Sequence, residues 1–167
     1  MPASYENLRV LIADRDPHLR MLVRTVLRDL GFSFENIRLC HDGEEALELL
    51  SVAKSDILIT CLRMTPMDGL TLIRRLRDPK TSPARDISIV FCSAVLDMKL
   101  LDEVRLAGAN EVIVKPINAS AIRTRIDAIV ANPRPMIRLK DYVGPDRRRL
   151  PDGPVPNDRR TKNYWDV

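Results

Sequence analysis

The sequence predicts an α/β protein built on a parallel sheet. Five short runs rich in β-branched and other apolar residues alternate with longer segments whose apolar residues recur at helical spacing. Five successive strand–helix units favour a parallel sheet that is covered by helices on both faces. With 167 residues, of which 45% are hydrophobic, the chain is long enough for one globular domain and an additional segment.

The predicted elements follow one another in a regular order. Strands are predicted at 9–13, 37–40, 56–60, 87–92 and 111–114. Helices are predicted at 17–31, 43–53, 68–78, 97–108 and 118–132. Pro17 suits the first turn of the first helix and Gly31 suits its end. In such sheets the ligand site lies at the carboxyl ends of the strands, beside the point where the strand order reverses.

Polar and ionisable residues stand where these predicted strands end. Asp14, Arg15 and Asp16 follow the first strand, Cys61 the third, Ser93 the fourth and Lys115 the fifth. The segments "LIADRD", "ITCLRMTPMDGL", "FCSA" and "VIVKP" contain these residues in order. Together the segments resemble the response-regulator receiver domain of the single-domain, CheY-like type, over about residues 8–130. The resemblance implies a flavodoxin-like (βα)5 fold with strand order 2-1-3-4-5.

The resemblance also assigns roles to these positions. In the family, an aspartate at the position of Cys61 accepts a phosphoryl group from a histidine kinase, and Mg²⁺ is held by it and by acids after the first strand. Asp14 matches the first of these acids and Arg15 the second. Ser93 matches the switch hydroxyl and Lys115 the lysine that pairs with the phosphate.

Two of these positions depart from the family pattern. The Cys61 thiol offers Mg²⁺ no hard oxygen ligand and cannot form an acyl phosphate. Arg15 places a fixed cation where a metal needs an anion. Asp16 is one residue out of register and is expected to cap the following helix instead. The sequence therefore predicts a degenerate receiver site without metal and without catalytic residues.

The cysteines allow two interpretations. Cys40, Cys61 and Cys92 are odd in number and have no CxxC spacing, so they are predicted to be free thiols and not a disulfide or zinc framework. Cys61 is expected to be a small packing residue. The alternative is a redox-active thiolate whose pKa is lowered by Lys115 and Arg15.

Residues 132–167 differ in composition from residues 1–131. They hold nine Lys/Arg, five Asp and six of the 12 prolines, whereas the other 18 basic and 18 acidic residues balance in 1–131. Such a segment is too polar to build its own core. We therefore predict a receiver-like domain at 1–131 and a mostly irregular, arginine-rich tail at 132–167.

The tail repeats a short motif, "PDRR" at 145–148 and "NDRR" at 157–160. Arginine forks bind phosphate or guanine O6 and N7, carboxylates accept from guanine N1 and N2, and aromatic rings stack on bases. The arrangement resembles the CheY-like cyclic di-GMP effectors of alphaproteobacteria, whose arginine-rich tails bind the dinucleotide. The resemblance implies cyclic di-GMP as ligand, with the binding residues Asp146, Arg147, Arg148, Arg149, Asp152, Asp158, Arg159, Arg160, Tyr164 and Trp165.

The implied function is a signalling effector and not an enzyme. Cyclic di-GMP is expected to control a protein contact, with the flagellar motor switch or a histidine kinase as partner. Three alternatives stay open: a phosphorylation-independent adaptor whose tail is irrelevant, a merely solvated basic tail, and nonspecific binding to nucleic acid or anionic surfaces. The five tail aspartates disfavour the last, because they repel a phosphate backbone.

The N-terminus has no secretion-signal pattern, and no apolar run approaches the roughly 20 residues that span a bilayer. A cytoplasmic protein is therefore expected, with recruitment to the flagellar pole if the motor is its partner.

Overall fold

The computed structural model describes residues 5–95 and 97–147. Within them, five strands form the main sheet: β1 (Val10–Ala13), β2 (Ile37–Cys40), β3 (Ile57–Cys61), β4 (Ser88–Ser93) and β5 (Glu111–Val114). The helices are α1 (Pro17–Asp29), α2 (Gly43–Val52), α3 (Gly69–Arg77), α4 (Met98–Ala107) and α5 (Ala119–Ala131), and a short 3₁₀ helix covers Phe34–Asn36. The ten predicted strands and helices are confirmed, with ends that differ by at most two residues.

The main sheet is parallel, with the strand order β2-β1-β3-β4-β5. This is the predicted order. Side chains alternate across the sheet, so each strand contributes to a core on both faces. One core contains Leu11, Leu58 and Phe91, and the other contains Ile12, Ile59 and Val90.

Each of the five α-helices begins at a side chain that caps its first turn. The capping residues are Asp16 for α1, Asp42 for α2, Asp68 for α3, Asp97 for α4 and Asn118 for α5. Their side-chain oxygens accept hydrogen bonds from backbone N–H groups that have no partner within the helix. These local signals define where each helix starts, and therefore where the loops at the strand ends lie.

A two-stranded antiparallel hairpin follows the receiver fold. β6 (Met136–Arg138) pairs with β7 (Val143–Pro145), and the Leu139 N–H donates to the Tyr142 carbonyl over 2.7 Å. The sequence pattern did not indicate this hairpin, because three-residue strands are too short to show alternation. The rest of the tail, residues 148–167, lies outside the described residues.

The hairpin packs on the carboxyl end of α4. Gly108 ends that helix with φ of +104°, and a Cβ added there would lie 2.6 Å from the Val143 carbonyl oxygen. A Cβ added at Gly144 would lie 2.9 Å from Gly108 Cα and would collide with the Tyr142 hydroxyl. Two glycines thus allow two backbones to approach closely, which no residue with a Cβ permits without displacement.

Arg77, the last residue of α3, is a buried cation beneath this contact. Its guanidinium donates to the Gly108 carbonyl over 3.1 and 2.9 Å, to Asn110 Oδ1 over 3.1 Å, and to the Arg85 carbonyl. Burial lowers the pKa of Arg77 to about 10, against the opposing influence of Tyr142 and Asp86. The side chain therefore joins the end of α3 to the loop between α4 and β5.

Replacing Arg77 is expected to destabilise the protein. Arg77→Met keeps most of the volume but leaves the carbonyls of Gly108 and Arg85 without their donor. Unsatisfied buried acceptors of this kind typically cost about 1–3 kcal/mol of unfolding free energy. Urea denaturation measures this loss, with Arg75→Met on the exposed face of α3 as the control. A loss no larger than that of the control would show that the buried hydrogen bonds are not needed.

Candidate functional site

The five residues predicted for the receiver site come together at the carboxyl edge of the sheet. Cys61 and Ser93 are the last residues of β3 and β4, while Asp14 with Arg15 follows β1 and Lys115 follows β5. These four strands are consecutive neighbours in the sheet. The structure therefore assembles the predicted site.

Asp14 is buried, and both of its carboxylate oxygens are occupied. Oδ1 accepts from the Asp16 N–H over 2.9 Å, and Oδ2 accepts from Lys115 Nζ over 3.1 Å. The ion pair brings together two groups that the family pattern uses for a metal and a phosphate. The negative charge of Asp14 in the crevice is thus compensated by the positive charge of Lys115.

Cys61 is buried beside this ion pair. Burial, followed by the negative charge of Asp14, raises the pKa of the Cys61 thiol from its ordinary 9.0 to about 11, and the opposing influence of Lys115 is smaller. Its sulfur lies 3.7 Å from the Arg63 carbonyl oxygen, to which the thiol donates. These surroundings favour a neutral packing thiol over the redox-active thiolate.

The loop after Cys61 returns directly over the sheet edge. The Gly69 N–H donates to the Leu62 carbonyl over 3.1 Å, and a Cβ added at Gly69 would overlap the Cys61 carbonyl oxygen. Only glycine lets α3 begin this close to β3. The backbone of Cys61 is therefore packed tightly against the start of α3.

The neighbouring positions do not assemble a set of metal ligands. Arg15 is exposed, and Asp16 caps α1 by accepting from the His18 N–H over 2.9 Å, as predicted. Ser93 is buried, and its hydroxyl donates to the Val95 carbonyl in the following loop. Among the described residues, no group of three His, Cys, Asp or Glu side chains is placed to hold a metal ion. The prediction that no Mg²⁺ binds stays a prediction.

The thiols are expected to react slowly in the native protein. Burial raises the pKa values of Cys40 and Cys92 to about 12, as it raises that of Cys61 to about 11. Because alkylation requires the thiolate, iodoacetamide near pH 7.5 should modify the native chain at least about a hundredfold more slowly than the urea-unfolded chain. Mass spectrometry of timed samples measures the two rates. Rapid single modification at Cys61 in the native protein would restore the redox interpretation.

Two of the predicted nucleotide-binding residues lie within the described part of the tail. Asp146 is buried, and its backbone N–H donates to the Pro135 carbonyl over 2.8 Å. Arg147 is half-buried and donates to the Ala109 carbonyl. The other predicted residues lie outside the described residues: Arg148, Arg149, Asp152, Asp158, Arg159, Arg160, Tyr164 and Trp165. Their roles stay predictions.

The sequence pattern missed two residues at this contact, Arg77 and Tyr142. Tyr142 donates from its hydroxyl to the Pro145 carbonyl over 2.9 Å, so its side chain runs along β7. Arg77 lies four residues after Ile73 and seven after Leu70, so the helical period places it on the apolar face of α3, a signal that the sequence-based prediction did not use. Only the tertiary structure shows that the carbonyls of Gly108 and Arg85 accept from this arginine.

Comparison with known proteins identifies the fold family. The model of the response regulator receiver domain matches residues 10–127. The chain belongs to the response regulator receiver family. The matched region ends before the tail, so membership applies to the receiver and the arginine-rich segment is additional to it.

The receiver is similar to chemotaxis proteins. It is 30% identical to chemotaxis protein CheY-3 of Vibrio cholerae over 124 residues, which are 74% of this chain and 92% of that protein. It is 31% identical to chemotaxis protein CheY of Pseudomonas aeruginosa over 122 residues, 73% of this chain and 95% of that one. A crystal structure of a putative response regulator from Chloroflexus aurantiacus superposes with a TM-score of 0.67 at 29% identity, covering 75% of this chain and 98% of the other. These similarities support a CheY-like receiver in signalling.

Within the described residues, no helix is both long enough and apolar enough to cross a membrane.

Proposed function

We propose that this receiver works as a signalling effector without phosphorylation, and that its arginine-rich tail binds cyclic di-GMP to control a protein contact. The observation that carries the ligand assignment is the repeated Asp-Arg-Arg unit at 146–148 and 158–160. Cyclic di-GMP is two-fold symmetric, with two guanines and two phosphates. Two copies of one motif can each bind one equivalent half.

Phosphorylation independence is supported by the contacts at the sheet edge. Cys61 supplies no carboxylate to accept a phosphoryl group, and Asp14 is already paired with Lys115. Control by a tail ligand provides an input that does not pass through this site. The protein then acts as a binding module, not as an enzyme.

The partner surface proposed for the receiver is the α4–β5 face. Met98 on α4 and Val114 on the edge strand β5 are 69% and 52% exposed, and both are apolar. Val112, at the position often held by a switching aromatic in the family, carries no polar group that could couple burial to a phosphoryl signal. The flagellar motor switch and a histidine kinase are the proposed partners for this face.

Titration calorimetry of the full chain tests the ligand. Cyclic di-GMP, cyclic di-AMP and GTP are compared at physiological salt, since a purely electrostatic tail is sensitive to salt and indifferent to base identity. Cyclic di-GMP is expected to bind at least about tenfold more tightly than the other two, because only it presents two guanine edges on one compact anion. Equal affinities, or no binding of cyclic di-GMP, would exclude the proposed effector function.

The adaptor is the second candidate, and the apolar exposure of the α4–β5 face favours it equally. An adaptor uses that face with the tail irrelevant. Deletion of residues 133–167 distinguishes the two functions in a pull-down with the motor switch or the kinase. The adaptor keeps its partner after deletion, whereas the effector no longer responds to cyclic di-GMP.

A further inference from the structure

We infer that docking of the hairpin on the receiver and binding of cyclic di-GMP by the tail exclude each other, because Arg147 takes part in both. The inference rests on the proposed function and concerns how that ligand is coupled to the receiver. The docked hairpin comprises β6, β7 and the two residues that follow, Asp146 and Arg147.

The docked hairpin is attached chiefly at the junction of α4 and β5, and Arg138 of β6 also pairs with Asp86 in the loop before β4 over 3.4 Å. The Val143 carbonyl lies directly against Gly108, and Arg147 donates to the carbonyl of the adjacent Ala109. Arg77 donates from below to the Gly108 carbonyl. The first Asp-Arg-Arg copy therefore begins inside an intramolecular interface.

The contacts of Arg147 in this interface are incomplete. A guanidinium has five N–H donors, and this one reaches the Ala109 carbonyl and the side chain of Tyr142. Its Nε–H is buried and has no hydrogen-bond acceptor among the residues that the structure describes. Burial lowers the pKa of Arg147; Tyr142 opposes this shift, and the positive charges of Arg134 and Arg105 add a smaller lowering. A partly buried guanidinium that keeps an unpaired N–H donor can gain further hydrogen bonds from an anion.

The docked geometry and the bound geometry cannot coexist at Arg147. A phosphate or a guanine edge accepts from two N–H donors of the guanidinium at the same time. In the docked state one of these donors, Nη2, points at the Ala109 carbonyl, and a second, Nε, is buried. Asp146, which is proposed to accept from the guanine edge, is also buried in the docked state. Binding through the first copy of the motif therefore requires the hairpin to leave α4.

Undocking has a consequence for the receiver. An isolated two-stranded hairpin is only marginally stable in water, so a hairpin that leaves α4 loses its strands. The ligand then uncovers Gly108 and Ala109 at the end of α4, on the helix that contributes Met98 to the proposed partner face. The apparent affinity for the ligand is reduced by the fraction of molecules in which the hairpin is docked. A change that weakens docking and leaves the ligand-binding residues intact must tighten ligand binding.

Two glycines provide a matched pair of variants. Gly108 and Gly31 both end a helix with positive φ, +104° and +100°, so alanine imposes similar backbone strain at each. At Gly108 the added Cβ would lie 2.6 Å from the Val143 carbonyl oxygen and 2.9 Å from Cγ of the Arg77 side chain, whereas nothing lies within 4 Å at Gly31. Gly108→Ala therefore opposes docking, and Gly31→Ala reproduces the strain alone. Neither residue belongs to the proposed ligand site.

The experiment combines titration calorimetry with hydrogen exchange on the full-length variants. Gly108→Ala should bind cyclic di-GMP at least about threefold more tightly than Gly31→Ala, and its amides at 136–146 should exchange at least about tenfold faster. Suppose that the hairpin of Gly108→Ala exchanges faster but its affinity for cyclic di-GMP is unchanged: docking and binding would then be independent. If its affinity is instead weaker, the docked hairpin would be part of the ligand site. Either result would overturn the inference.

The wild-type chain gives a second test that needs no variant. Saturating cyclic di-GMP should speed exchange of the Asp146 amide, which donates to Pro135 in the docked hairpin. Slower or unchanged exchange at saturation would contradict the inference while leaving the proposed function intact. No binding of cyclic di-GMP by the wild-type chain would instead reject the proposed function itself, and the competition with it.

Discussion

The double variant Arg15→Asp with Cys61→Asp is expected to become phosphorylated by acetyl phosphate in the presence of Mg²⁺, whereas Cys61→Asp alone stays almost unmodified. The new carboxylate at position 61 supplies the nucleophile, which attacks phosphorus and releases acetate. It also supplies one hard oxygen ligand for the metal. The single variant still carries the Arg15 cation beside the site, and that cation opposes Mg²⁺ and pairs with the new carboxylate.

The expected difference in phosphorylation between the single and double variants depends on the contacts of Asp14. Mg²⁺ must take Asp14 from Lys115, whose Nζ lies 3.1 Å from Oδ2. With Asp at both 15 and 61, three carboxylates face one lysine, so the metal relieves a repulsion between like charges. Replacing Arg15 in the Cys61→Asp background should therefore raise the phosphorylation rate at least about a hundredfold, the order expected when a fixed charge at a metal site is reversed.

Intact-mass spectrometry with and without Mg²⁺ measures the added phosphoryl group. Cys61→Asp combined with Arg75→Asp is the control, because it makes the same charge change on the exposed face of α3. Equal phosphorylation of the single and double variants would show that Arg15 does not block the metal. Magnesium-dependent phosphorylation of the wild-type chain would contradict the proposed independence from phosphorylation.

Replacing Arg159 and Arg160 by alanine is expected to weaken cyclic di-GMP binding by roughly ten- to several-hundred-fold. Each bidentate arginine–guanine pair contributes about 1–3 kcal/mol, and ordering a tail on binding leaves little surplus to absorb the loss. The corresponding change at Arg147 and Arg148 should also weaken binding. That change is harder to interpret, because Arg147 additionally holds the hairpin on Ala109.

Lysine at positions 159 and 160 separates geometry from charge. Lysine keeps the charge but loses the planar fork, so it should restore little of the affinity. The control is alanine at Arg74 and Arg75, two exposed arginines of α3 whose loss gives the same change in net charge. Titration calorimetry at physiological salt measures all three proteins. Full rescue by lysine, or an equal loss in the α3 control, would identify a purely electrostatic tail.

Most of the fold could be predicted from local patterns. Strand and helix periods, the capping aspartates and the glycine at the end of α4 are properties of neighbouring residues, and they placed ten elements within two residues of their observed ends. The candidate site was predictable for a related reason. Parallel strands have their carboxyl ends on one edge, so residues far apart in sequence were expected to meet there.

The hairpin and its docking could not be predicted in this way. Strands β6 and β7 have three residues each, and the tail is rich in the prolines and charges that normally indicate irregular structure. The stability of the hairpin depends on contacts with Gly108 and Ala109, which lie more than 30 residues earlier in the chain. A contact of this range leaves no periodic trace in the sequence.

The sequence by itself determined the order of strands and helices, the set of residues at the sheet edge and the presence of a cysteine at position 61, where the family resemblance places an aspartate. Only the tertiary structure decided that Lys115 pairs with Asp14, that the Cys61 thiol is buried with a raised pKa, and that Arg147 rests on Ala109. The physical reason is that residue type and spacing are local quantities. Burial and pairing instead depend on which surfaces meet when the chain closes, and here the tail meets the end of α4.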